Sequence, residues 1–392
     1  MKNVGQSLKN RYFWIILIIL IPLLIASLFL ACRFFNAVSP DVFVGVDVAF
    51  DNVEEIKLLV DKISAYTNTI VIGSVGITHN FTKLDDVCQY VYDKGMYFMI
   101  FAHPINDPEA LVIQRQWVLD AKPRWSEQFL GLYAFDEPAG RQLDNASYKA
   151  VDDEFWFADN WTDAANKYIT NMSLYLNHAI NDQMGASNLT LFTSDYALYW
   201  FDYKVGYDVV LAEFGWNYSR TLNVALCRGA ANVQSKEWGV MITWTYTQPP
   251  YLESGEELYD DLVLAYENGA KYILVFDTNE NYTHGTLKGE HLDALKRFWQ
   301  YAKNNPRTSN PIRNRVAYVL PKDYGYGFRG PNDKIWGLWE ADDFSLEIST
   351  EVGGFIDIYQ NRLDIIYDDG LKTDSSYGYT RFIFWNGTVW VP

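Results

Sequence analysis

The tripeptide Asp136-Glu137-Pro138 closes an apolar run, FLGLYAF, at residues 129–135. Two adjacent carboxyls at the end of such a run can divide acid–base work, one staying ionised while burial and its neighbour's charge keep the other protonated. Cleavage of a glycosidic bond needs that division: a proton donor beside the leaving oxygen and a second group to stabilise an oxocarbenium-like centre. Asp136 and Glu137 are the candidate pair. Consecutive strand residues point to opposite faces, so both reach one cleft only if regular strand stops there. Pro138, which cannot donate to a sheet, makes that stop reasonable.

More carboxyls close other apolar runs: Asp47 with Asp51 after it, Asp195, Glu213 and Asp277. His103, Trp216, Trp244 and Tyr246 stand at equivalent places. Singly, each has an ordinary use as a helix cap or a salt-bridge partner. Jointly, carboxyls and flat rings that stack on pyranose faces are what a carbohydrate cleft requires. Glu213 is a candidate base for an inverting reaction.

Other chemistries find less support. The five His show no H-x-H or H-E-x-x-H spacing, so no metal is expected, and no G-x-S-x-G elbow is present. No Gly-rich phosphate loop follows the first apolar run, and no cofactor is expected. Net charge is −17 without a Lys/Arg cluster beyond the extreme N-terminus, which argues against a nucleic-acid partner. Cys88 and Cys227 fall on apolar faces of two different helical stretches and are expected as buried thiols.

The elements that must position these residues repeat. Apolar, β-branched runs lie at 42–48, 68–75, 96–102, 129–135, 189–195, 208–214, 238–244 and 271–277. Amphipathic helical stretches separate them, and only the fifth connection is short and helix-poor. Near-continuous apolar strands alternating with helices mean a parallel sheet covered on both faces. Eight such units over 41–305 predict a closed (β/α)8 TIM barrel, whose functional rim lies at the C-terminal strand ends. After the polar linker RTSNPIRN, residues 313–392 read as a small α/β appendage.

Phe13 to Ala31 is an unbroken run of apolar or small residues, preceded by Lys2, Lys9 and Arg11. Its length and basic flank predict a transmembrane signal anchor over 13–32, with 1–12 cytoplasmic and the remainder extracellular at the cell membrane. A cleaved signal peptide is the alternative. N-x-S/T acceptors begin at Asn80, Asn145, Asn160, Asn171, Asn188, Asn217, Asn281 and Asn386, as in a surface glycoprotein.

The strand-end Asp-Glu-Pro resembles the Asp-Glu pair of barrel glycosidases in glycoside hydrolase families 20 and 123. The resemblance implies Glu137 as general acid and Asp136 as the residue that orients the substrate's own 2-acetamido nucleophile. Tyr246 becomes a candidate partner for the acetamido oxygen. The chain departs from the broader glycosidase barrels that set an acid on strand four and a carboxylate nucleophile on strand seven. Asp precedes Glu137 where those have Asn, and the seventh run ends in Trp244-Thr245-Tyr246. The expected function is hydrolysis of extracellular or cell-surface glycans. The alternative is a non-catalytic glycan-binding protein on the same barrel.

Overall fold

The computed structural model describes residues 40–102, 107–145, 157–307, 314–372 and 377–392. Eight strands form the centre: β1 (Phe43–Val48), β2 (Thr69–Ile72), β3 (Tyr97–Ala102), β4 (Phe129–Ala134), β5 (Thr190–Asp195), β6 (Val209–Phe214), β7 (Glu237–Ile242) and β8 (Tyr272–Asp277). They pair in parallel in chain order and close β8 onto β1. Their sequences are apolar on both faces because one face meets the barrel interior and the other the surrounding helices.

Period-2 alternation decides which residues go inside. Phe43, Val71, Met99, Phe192, Tyr272 and Leu274 belong to the interior cluster. Phe43 and Tyr272 stack with ring centroids 5.0 Å apart. Asp47 shares its parity with Phe43, Ser194 with Phe192, and Glu213 with Leu211, so these three continue the interior column up to the rim. Asp195 and Asp277 have the opposite parity.

Around the strands lie α1 (Val53–Ile63), α2 (Phe81–Asp93), α3 (Pro108–Trp125), α4 (Pro138–Asn145), α5 (Trp161–Tyr175), α6 (Tyr199–Val205), α7 (Arg220–Gln234), α8 (Gly255–Glu267) and α9 (Gly289–Asn304). In α1 the buried residues are Ile56, Leu59, Val60 and Ile63, one stripe at helical spacing. Asn52 begins it by accepting the N–H groups of Glu54 and Glu55, as an N-cap should. Cys88 and Cys227 are buried free thiols on α2 and α7. The fifth connection is not helix-poor: it holds α6. That seven-residue segment, YWFDYKV, is almost wholly buried, so it is apolar without a readable period.

Beyond the barrel, β9 (Arg315–Leu320), α10 (Asp343–Tyr359), β10 (Leu363–Tyr367), β11 (Tyr379–Phe384) and β12 (Val389–Trp390) build a four-stranded sheet in the order β10-β9-β11-β12. β9 is parallel to β10 and β11, and β12 is antiparallel to β11. The sheet packs on α7 through a buried ionic joint. Arg228 Nε donates to Asp364 Oδ1 at 2.7 Å, while Arg315 and the Tyr379 hydroxyl donate to Asp364 Oδ2 at 3.2 and 2.9 Å. Val42–Pro392 thus packs as one unit.

The expected transmembrane helix is corrected. Residues 13–32 lie outside the described residues, and no helix among the described residues is long and apolar enough to cross a membrane. Helix α1, for example, carries one apolar stripe, with charges such as Glu54, Glu55 and Lys62 on the rest. The architecture the described residues support is a barrel with a small sheet.

Candidate active site

The loop after β4 departs from extended backbone at two residues, Phe135 (φ 70°) and Glu137 (φ 55°). Left-handed backbone costs a non-glycine residue about 1–2 kcal/mol, so contacts from elsewhere must hold it. The Thr193 hydroxyl donates to Phe135 O at 3.0 Å, and the Glu137 N–H donates to Ser194 O at 3.0 Å. The Asp195 carboxylate accepts the first free N–H groups of α4, from Ala139 (2.7 Å) and Gly140 (2.9 Å). It also accepts those of Tyr196 and Ala197. The end of β5 therefore clamps the Asp-Glu turn, and its two left-handed residues swing both Asp136 and Glu137 toward the cleft.

The C-terminal segment 321–342 braces the other side. Gln142 Nε2 donates to Trp336 O at 3.0 Å. Arg329 pairs with Asp144, which also accepts the Tyr196 hydroxyl at 2.5 Å.

Inside, one polar cluster joins three strand ends. The Tyr133 hydroxyl is 2.5 Å from Asp136 Oδ1 and 2.7 Å from Ser194 Oγ. Ser194 Oγ is 2.6 Å from Glu213 Oε1 and 3.2 Å from Asp136 Oδ1. The carboxyls of Glu137 and Glu213 face each other within hydrogen-bond reach. Burial, then the charges of Asp136 and Asp195, push the Glu137 carboxyl up to about 8. Arg141, 3.7 Å from Glu137 Oε2 and from Asp136 Oδ2, opposes this only weakly. Burial, then the charges of Glu137 and Asp136, hold Glu213 well above the ordinary carboxylate range. Two carboxyls in contact away from water cannot both ionise. At neutral pH this pair therefore carries a proton in a place where an acid is useful.

Asp47 sits beneath, 3% exposed, with no hydrogen-bond partner for Oδ1 among the described residues. Burial first, then Asp136 and Asp277, raise its pKa strongly. Gly73 makes room for it, since a Cβ there would fall 2.3 Å from Asp47 Oδ1.

These groups line a cleft of about 770 Å³. Phe101, Trp216, Trp244 and Phe276 form its aromatic walls, and half-exposed Tyr282 stands at its mouth. The Trp244 indole N–H donates to Thr278 O at 3.0 Å, fixing the ring.

Of the expected residues, the structure gathers Asp47, Asp136, Glu137, Glu213, Trp216 and Trp244 in this cleft. Asp195 and Asp277 are not among its lining. Asp195 clamps α4, and Asp277 accepts the N–H groups of Thr286 and Leu287 to hold the loop before α9. Their outward parity sends them to those tasks. Tyr246 lies in a separate adjoining hollow. His103 is outside the described residues. Tyr133, Ser194, Arg141 and Tyr282 were not anticipated. Parity would have found two of them: Ser194 follows Phe192 inward, and Tyr133 lies on the inner face of β4. Among the described residues no group of three or more His, Cys, Asp or Glu is arranged to hold a metal ion.

No family model and no curated protein matches the chain. Solved structures do. The GH5_18 protein from Streptomyces cattleya, determined in complex with GlcNAc, aligns at 11% identity and TM-score 0.55. That alignment covers 88% of this chain and 99% of that one. The endo-β-1,4-mannanase from Thermotoga petrophila aligns at 9% identity, covering 71% and 82%, with TM-score 0.45. The endo-1,4-β-mannanase from Eisenia fetida aligns at 11%, covering 65% and 90%, with TM-score 0.42. The first likeness establishes a fold shared with glycoside hydrolase (β/α)8 barrels, and its coverage takes in more than the barrel alone. Families 20 and 123 are not singled out by these comparisons.

Proposed function

We propose that this cleft hydrolyses an O-glycosidic bond in a glycan carrying a 2-acetamido group, with Glu137 as general acid and Asp136 as the residue that orients the acetamido N–H. The observation that carries the reading is the contact between Glu137 and Glu213 beside Asp136. Paired carboxyls that act from opposite faces of a sugar are about 5–5.5 Å apart in retaining enzymes and roughly 6.5–9.5 Å in inverting ones. We read Glu213, which lines the cleft beside Glu137, as a hydrogen-bond partner of the acid and not as a group attacking from across the ring. The end of β7 offers Thr243 and Trp244 to the cleft, not a carboxylate. A nucleophile from the substrate itself fills that gap.

In the proposed reaction the acetamido oxygen attacks the anomeric carbon as Glu137 passes its proton to the departing oxygen. Asp136, steadied by the Tyr133 hydroxyl, accepts the amide N–H. Glu137, now ionised and hydrogen-bonded by Glu213, takes a proton from the water that opens the cyclic intermediate. The substrate is read as a glycan outside the cell. The exposed acceptor residues Asn80, Asn160, Asn188, Asn217, Asn281 and Asn386 support that reading.

The test is hydrolysis of aryl glycosides with and without a 2-acetamido group by the wild type and Glu137→Gln. The variant is expected to lose roughly 10²–10⁴ in kcat while keeping its fold. Undiminished turnover removes Glu137 from the reaction. A wild type that cleaves only sugars lacking the acetamido group removes the role given to Asp136. Glycan binding with no product from any substrate favours the non-catalytic alternative.

A further inference from the structure

A second hollow, of about 440 Å³, opens on the loop between β7 and α8. Trp216, Thr245, Tyr246, Thr247 and Gln248 line it together with two prolines. Trp216 also lines the catalytic cleft, so the two spaces meet at one indole.

Both walls are fixed by the protein. Trp216 has φ 48°, a conformation that side-chain-bearing residues avoid. Its N–H donates to Trp244 O at 2.9 Å. Arg220 Nη1 ties the same turn down through Gly215 O (2.7 Å) and Tyr218 O (3.1 Å). On the opposite wall the N–H groups of Thr245 and Tyr246 both donate to Tyr251 O, at 2.8 and 2.9 Å, and the Tyr251 N–H returns to Gln248 O at 3.0 Å. This pinned loop leaves the Tyr246 side chain 48% exposed. Thr245 Oγ1 is buried and without a hydrogen-bond partner among the described residues, so the polar groups offered to a ligand are those of Thr247 and Gln248.

A rigid aromatic face flanked by hydroxyl and amide groups is built for a ring with one apolar face and a polar edge. We infer that this hollow is a second sugar subsite, so that the substrate is an oligosaccharide of at least two units. One unit lies over Glu137, and the next passes Trp216 to stack on Tyr246. The inference rests on reading the main cleft as a glycosidase site. It moves Tyr246 from the acetamido group to a neighbouring sugar.

Chitotriose and 4-nitrophenyl N-acetyl-β-glucosaminide are the probes. Tyr246→Ala is expected to lower kcat/KM on chitotriose about tenfold more than on the single-sugar glycoside, the loss of one good contact. Tyr246→Phe, which keeps the ring, restores most of it. In the Glu137→Gln background, calorimetry is expected to show chitotriose binding weakened to a similar degree by Tyr246→Ala. Equal losses on both substrates, no chitotriose binding, or binding indifferent to Tyr246→Ala overturns the subsite. A wild type that binds chitotriose through Tyr246 and cleaves neither probe refutes the hydrolase reading and retains the subsite.

Discussion

Replacing Glu137 with Gln tests the electrostatics of the cleft without any knowledge of the substrate. Burial, Asp136 and Asp195 push the Glu137 carboxyl from 4.5 to about 8. Each pKa unit corresponds to about 1.4 kcal/mol between the two protonation states. Ionising Glu137 in the folded protein therefore costs on the order of 5 kcal/mol more than in the unfolded chain. The sign follows from linkage. Between pH 4.5 and 8 the unfolded chain releases this proton and the folded chain keeps it, so the folded state binds more protons and stability falls as pH rises. Glutamine copies the neutral carboxyl, donates to Glu213 and has no proton to lose. The stability advantage of Glu137→Gln over the wild type is thus expected to be near zero at pH 4.5. It should grow through pH 6–7 and level off above pH 8 at a few kcal/mol. Urea unfolding of both proteins at unit pH steps measures it. A difference that stays flat from pH 5 to 9 refutes a protonated Glu137 and with it the proposed acid. The same group sets the alkaline limb of the rate: activity should fall as pH rises through about 8, because the acid is then ionised.

Asp195→Ala removes the acceptor of four N–H groups and is expected to cost about 1–3 kcal/mol by calorimetry. It should also lower kcat roughly a hundredfold by letting Glu137 drift; unchanged kcat would show that the clamp does not position the acid. Gly73→Ala drives a methyl against Asp47 and is expected to raise KM for the best glycoside about tenfold, and an unchanged KM removes Asp47 from substrate contact. Asp364→Ala leaves Arg228 and Arg315 facing each other without their shared carboxylate. Loss of one partner in such a buried pair costs about 3–5 kcal/mol. A melting temperature within a degree of wild type would show that the sheet contributes little to the stability of the barrel.

The eight strands were legible because each is a short apolar run rich in Val, Ile and Phe, as burial on both faces demands. The helix α6 was not, because seven residues span less than two turns and most of them are buried. Asp47 and Glu213 were legible as cleft residues, each continuing an alternation of inward side chains. Asp195 and Asp277 looked equivalent in sequence, and one step of parity sent them to structural work. Asp136 and Glu137 violate that same alternation. Nothing within GLYAFDEP enforces the left-handed turns at Phe135 and Glu137; Thr193, Ser194 and Asp195 on the neighbouring strand do so.

By itself, the sequence determined the order of the strands and the stock of carboxyls and rings available at one end. Tertiary structure alone decided which carboxyls touch. A pKa depends on neighbours through space, and Glu137 meets Glu213 and Asp195 only when β4, β5 and β6 lie side by side. Local preference fixes a strand within a few residues. The protonation of an acid requires the closed barrel, which brings distant charges together and keeps water from separating them.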